Sequence, residues 1–143
     1  MAHSFGSLDE MGEGHGFRKV RRALGVTAFG INALVYPPGQ EGFLHYHDLQ
    51  DELYFVHSGL ARFEVDGESR ELGPGGFCHV ESTTPRKVSN TGAVDLVLIV
   101  VGGKDGYVER DGLHGQQPLR ADVQQRWHSA EPQDGLHDRL PEP

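Results

Sequence analysis

His45 and His47 stand two residues apart, and Glu52 follows five residues further on, within the Gly-bounded stretch Gly39 to Gly59. On an extended strand, residues i and i+2 project to the same side, so the two imidazoles point together. Glu52 opens the alternating run Glu52-Leu53-Tyr54-Phe55-Val56. A reversal through Asp48 to Asp51 returns its carboxylate to face both rings. Two His and one carboxylate on one face, with coordination positions left open, is the divalent-metal triad of many non-haem iron sites. Fe(II) is the favoured ion for this donor set, with Mn, Ni or Zn also accommodated.

The elements that position these residues are short strands. Phe17 to Leu24 reads as a moderately amphipathic first strand. Val26 to Tyr36 follows, with Phe29, Ile31, Ala33 and Val35 on one side. Pro37-Pro38-Gly39 stops it. Glu52 to His57 is the strand after the His pair. Leu60 to Val65 alternates Ala61, Phe63 and Val65 against Arg62 and Glu64. Asp66-Gly67 is the strongest hairpin signal in the chain, and Glu68 to Leu72 returns from it. Gly73 to Gly76 turns into Phe77 to Val80, Pro85 precedes Arg86 to Asn90, and Val94 to Val101 is the most apolar run. That makes about nine short strands, and no helix is expected before residue 119. Such a series means a barrel or a sandwich.

The spacing Gly39-x5-His45-x-His47-x4-Glu52-x6-Gly59 matches, position for position, the first sequence motif of the cupin superfamily. The chain therefore resembles a small single-domain cupin. The resemblance implies an all-β double-stranded β-helix, a jelly-roll-like barrel, over residues 17–103, strongest over 39–101. Residues 1–16 are read as a flexible arm. Residues 104–143 are read as a polar tail with a short helix at 119–127. Because small cupins commonly pair through exposed sheet edges, the resemblance also implies a homodimer.

A second cupin motif, Gly-x5-Pro-x-Gly-x2-His-x3-Asn, is only half present. Counted from Gly75, its positions fall on Glu81, Thr83, Arg86 and Asn90, so Arg86 occupies the place of the expected metal-binding His. A guanidinium is always protonated and accepts nothing, so it cannot ligate a metal. Two roles remain open for it. Arg86 can hold a substrate carboxylate or phosphate by a bidentate pair, or it can neutralise Glu52 and replace the metal. A shifted register, Pro74-x-Gly76-x2-His79, offers another His but leaves room for only one strand between the motifs. Strand parity beside Gly75-Gly76 does not decide which way His79 faces. Tyr54 shares the parity of Glu52 and Asn90 that of Arg86, so both are candidate substrate contacts. Each also has a plain alternative, as barrel core and as backbone support. His57 has the opposite parity and reads as a surface residue, and Cys78 as a small buried apolar one.

The 143 residues suit one domain with a real core, and 20 glycines fit many tight turns. With 13 basic and 21 acidic residues the formal charge is −8, which argues against nucleic acid or an anionic membrane as partner. One cysteine, the missing signal-peptide pattern and apolar runs too short to span a bilayer favour a cytoplasmic protein. The expectation is a metal-binding cupin acting on a small anionic molecule, as a dioxygenase or a Lewis-acid isomerase or lyase. The alternative is a metal-free binding protein in which Glu52 pairs with Arg86.

Overall fold

The structure is a computed structural model, which describes residues 2–109 and the backbone of residues 112–114. Among the described residues the chain forms ten strands and one five-residue helix: β1 (Gly16–Arg18), α1 (Val20–Leu24), β2 (Gly30–Tyr36), β3 (His45–His47), β4 (Asp51–Ser58), β5 (Ala61–Val65), β6 (Glu68–Leu72), β7 (Phe77–Val80), β8 (Arg86–Asn90), β9 (Leu96–Gly103) and β10 (Gly112–His114). They build two five-stranded antiparallel sheets, ordered β1-β2-β9-β4-β7 and β10-β3-β8-β5-β6. This is the all-β double-stranded β-helix implied by the motif.

The sheets face each other across a core of Leu34, Tyr54, Val56, Phe63, Val88, Leu96, Leu98 and their neighbours. Period-two alternation selects these residues. Leu96, Leu98 and Val100 of β9 point inward, as do Tyr54 and Val56 of β4 and Ala61 and Phe63 of β5. The Tyr54 and Phe63 rings meet edge to face at 5.5 Å. The β5–β6 hairpin turns on Asp66 and Gly67, both at positive φ (51° and 84°), as a type I′ connection requires.

Three local expectations are corrected. The first strand ends at Arg18, and Val20–Leu24 is helical instead of extended. Arg21, Arg22, Ala23 and Leu24 are strong helix formers, and Gly25, at φ 72°, closes the turn in the left-handed conformation. This helix packs on β2. Secondly, β2 begins at Gly30, and its interior face carries Asn32, Leu34 and Tyr36. Ile31, Ala33 and Val35 lie on the outer face, opposite Val101, Ile99 and Val97 of β9. Finally, the polar tail contributes β10, which pairs antiparallel with β3. The expected helix at 119–127 lies outside the described residues.

Candidate metal centre

Strand pairing gathers the site from both sheets. His45 lies directly opposite Arg86 in the β3–β8 ladder, so the two share a face. Glu52 enters from β4 in the other sheet, paired with Val80 and Gly102 on its flanks. Residues 48–50 carry the chain from one sheet to the other, and this reversal brings the carboxylate back onto the imidazoles. One ligand atom from each of His45, His47 and Glu52 lies within 4.8 Å of the others. Nε2 of His47 is 3.0 Å and Nε2 of His45 is 3.8 Å from Oε1 of Glu52. Ligands about 2.1 Å from a single ion sit roughly 3 Å apart when adjacent, so this spacing fits one ion. The N₂O donor set suits divalent iron, manganese, nickel or zinc.

The local hydrogen bonds orient the candidate ligands. Nδ1 of His45 lies 3.0 Å from the Phe43 carbonyl, which can only accept. The ring proton is therefore on Nδ1, and the bare Nε2 faces Glu52. Burial, helped by the charges of His47 and Arg86, lowers the His45 pKa to about 4 and keeps the imidazole neutral. Burial alone would raise the Glu52 pKa. The adjoining His47 imidazole, its neighbour His45 and the Arg86 charge outweigh it and hold the carboxyl well below its ordinary range. Glu52, 4% exposed, is thus a buried carboxylate.

Arg86 is 0% exposed. Its Nη1 lies 3.5 Å from Glu52 Oε1, while Nη2 donates to the carbonyls of Glu81 at 2.7 Å and Ser82 at 3.4 Å. The guanidinium therefore sits behind Glu52, tied to the turn before β8, and it is not among the described residues lining the cavity. Tyr54 donates its hydroxyl to Glu52 Oε1 at 2.6 Å and also lines the cavity. Burial and the neighbouring Glu52 carboxylate raise its pKa well above the usual phenol value. Asn90 is placed differently. Its amide donates to the carbonyls of Tyr36 and Val94, both at 2.9 Å, and its Oδ1 accepts from the Gly92 amide. That set of bonds joins β2 and β8 to the loop before β9, away from the triad. His79 is exposed on the outer face of β7, opposite Leu53, and His57 is exposed on β4.

Gln50 is the residue that sequence reasoning missed. It is 0% exposed, with its amide nitrogen 3.1 Å from Nδ1 of His47 and 3.5 Å from Oε2 of Glu52. It lies against Gly102 of β9, where an added Cβ would come within 3.1 Å of the amide carbon. Nothing near Gln50 in the sequence marks it, because its partner surface arrives from fifty residues away.

Above the triad opens a cavity of about 210 Å³. His45, His47 and Glu52 form its floor, and Leu34, Tyr36, Phe43, Tyr54, Val88 and Val100 line its walls. No helix among the described residues is long and apolar enough to cross a membrane.

Residues 33–102 match the Cupin domain family, and the chain is a small cupin-domain protein. Over 65 residues it is 31% identical to an oxalate-binding protein of Thermotoga maritima, covering 46% of this chain and 54% of that one. The chain spans about half the length of the curated relatives it matches. A cupin protein of Bacteroides fragilis superposes with a TM-score of 0.63 at 18% identity, covering 86% of this chain and 94% of that one. A sugar phosphate isomerase of the cupin superfamily from Silicibacter pomeroyi superposes with a TM-score of 0.59 at 22% identity, covering 74% and 80%. These two likenesses are likenesses of fold.

Proposed function

We propose that the protein binds one divalent ion through His45, His47 and Glu52 and acts there on a small anionic substrate. The observation that carries this reading is the convergence of the three ligand atoms within 4.8 Å at the floor of a cavity. Fe(II) is the favoured ion, with Mn, Ni or Zn as the other candidates. Such an ion supplies Lewis acidity, or a seat for dioxygen, to a dioxygenase, isomerase or lyase reaction. The chain's own residues supply the rest. His45 presents a bare, neutral Nε2. Tyr54 and Arg86 fix the ionised Glu52 carboxylate. Tyr54 also offers its ring to the substrate, whereas Arg86 contributes its charge through Glu52, and Asn90 holds the strands that form the wall. The likeness to an oxalate-binding protein supports an anionic ligand.

One observation favours a second reading. Glu52 Oε1 already has Arg86 at 3.5 Å and the Tyr54 hydroxyl at 2.6 Å, which is the pairing a metal-free binding protein would use. Elemental analysis separates the two, performed on untagged protein purified without chelator beside a His47→Ala variant. Near one equivalent of a transition metal, lost in the variant, is expected. No metal after anaerobic Fe(II) addition would sink the metalloprotein reading. A single cysteine accords with a cytoplasmic setting, and the apolar outer face of the first sheet accords with pairing of two copies.

A further inference from the structure

The cavity is chemically one-sided. Its ionisable metal-facing groups, His45, His47 and Glu52, lie at the floor, while Leu34, Phe43, Val88, Val100, Tyr36 and Tyr54 dominate the walls, where Asn32 and Gln40 are the neutral polar side chains. Among the described residues no lysine or arginine lines it. Arg86 is committed behind the floor to Glu52, Glu81 and Ser82.

We propose that the ligand is a one-headed acid: a carboxylate with an adjacent oxygen, as in a 2-oxo or 2-hydroxy acid, carrying a single apolar body. The head rests on the metal reading above, where the triad leaves neighbouring positions for two oxygens. The body rests on the walls alone. An apolar cavity of about 150 Å³ accommodates benzene, so about 210 Å³ takes a branched alkyl chain or one ring together with its carboxyl head. A sugar phosphate fits poorly, because charge and hydroxyls lie at both of its ends. Its remote phosphate would be buried against Leu34 and Val88 with no cation to meet it, and an unpaired buried charge is costly. Oxalate would occupy the floor and leave the walls unfilled.

The test is an affinity series with a constant head: pyruvate, 2-oxobutanoate, 2-oxopentanoate and 4-methyl-2-oxopentanoate. It is measured by calorimetry on Zn-loaded full-length protein, with ribose 5-phosphate as the two-ended comparison. Burying one methylene is worth up to about fourfold in affinity. The longest member should therefore bind at least about tenfold more tightly than pyruvate. Methyl resonances of Leu34, Val88 and Val100 should shift with it. Val100→Phe, which fills the wall, should reverse the trend while leaving zinc affinity within about twofold.

Affinity that stays flat or falls along the series overturns the inference, as does tighter binding of ribose 5-phosphate, even with metal bound. Failure to take up metal instead sinks the metal reading. In that case the same series on metal-free protein decides: a climb with the methyl shifts upholds the apolar body, and a flat series removes it.

Discussion

The side-chain amide nitrogen of Gln50 lies 3.1 Å from Nδ1 of His47, while Nε2 of the same ring lies 3.0 Å from Oε1 of Glu52. An amide N–H can only donate, so Nδ1 accepts and the ring proton sits on Nε2, facing the carboxylate. Ligation through Nε2 needs the opposite tautomer, with Nδ1–H donating to an acceptor. A half-turn of the Gln50 amide presents its Oε1 as that acceptor. His45 is already set for ligation by the Phe43 carbonyl, so the two imidazoles start from different tautomers. Gln50→Leu, of similar shape but without an acceptor, should weaken metal affinity about ten- to hundredfold. Competition against a chelator of known affinity measures this. Nitrogen NMR should show the His47 ring proton moving from Nε2 to Nδ1 on metal binding in the wild type.

Gly102→Ala tests the same relationship from the opposite strand. An added Cβ would stand 3.1–3.2 Å from the Gln50 amide atoms, closer than an ordinary van der Waals contact, so the amide must move. Metal affinity should fall in the direction of Gln50→Leu. The double variant should fall no further than Gln50→Leu alone, because both act through one side chain.

The sequence displayed the candidate ligands but not what sets them. His45, His47 and Glu52 were legible because strand parity and one turn fix which way they face. The inner faces of β4, β5 and β9 were legible for the same reason. Arg86 was legible as an oddity of position, yet its direction depends on the Glu81 and Ser82 carbonyls, which only the folded turn supplies. Gln50 was invisible, since a glutamine in a polar turn gives no local sign of a glycine waiting on β9. Helix α1 was hidden behind an amphipathic alternation that also suits a strand, although Arg21 to Leu24 favour helix and Gly25 closes the turn. On β2 the apolar alternation drew attention to Ile31, Ala33 and Val35, although Asn32, Leu34 and Tyr36 line the cavity.

Removing the cation behind the carboxylate should be costly. Arg86→Met leaves Glu52 ionised without its guanidinium and strips a donor from the Glu81 carbonyl. Breaking one side of a buried pair typically costs about 3–5 kcal/mol. Urea denaturation of the metal-free variant should show a loss of that order. Added Zn should recover part of it, because the ion would replace the missing positive charge beside Glu52.

Stability of the metal-free protein should fall as the solution is acidified. His45 is neutral in the fold, with its pKa lowered from 6.5 to about 4, so between those values the unfolded chain binds more protons than the folded one. Stability therefore decreases as pH drops through that window, by about 3 kcal/mol at full extent. The lowered pKa of Glu52 acts in the same direction at more acidic pH. Urea midpoints between pH 7 and 4 measure the slope, and His45→Gln should flatten it. A wild-type profile that is already flat would mean that His45 ionises freely in the fold.

The outer face of the first sheet predicts a second copy of the chain. The Phe55 and Phe77 rings meet at a tilt of 42° with centroids 4.7 Å apart, and Phe77, on the edge strand β7, is 61% exposed. Register places Ile99 and Val101 of β9 on the same side, opposite Phe55 and Leu53, so the aromatic pair continues into an aliphatic strip. An exposed apolar strip beside an open strand edge gains by being covered, and a two-fold related copy presents the same strip in return. The wild type should sediment as a dimer. Phe77→Arg should shift it to monomer with less than about 1 kcal/mol change in the stability of the isolated chain, since the side chain is largely in solvent. Metal affinity should be unchanged, because His79 and Phe77 point away from the triad. A monomeric wild type would leave this strip without the partner assigned to it.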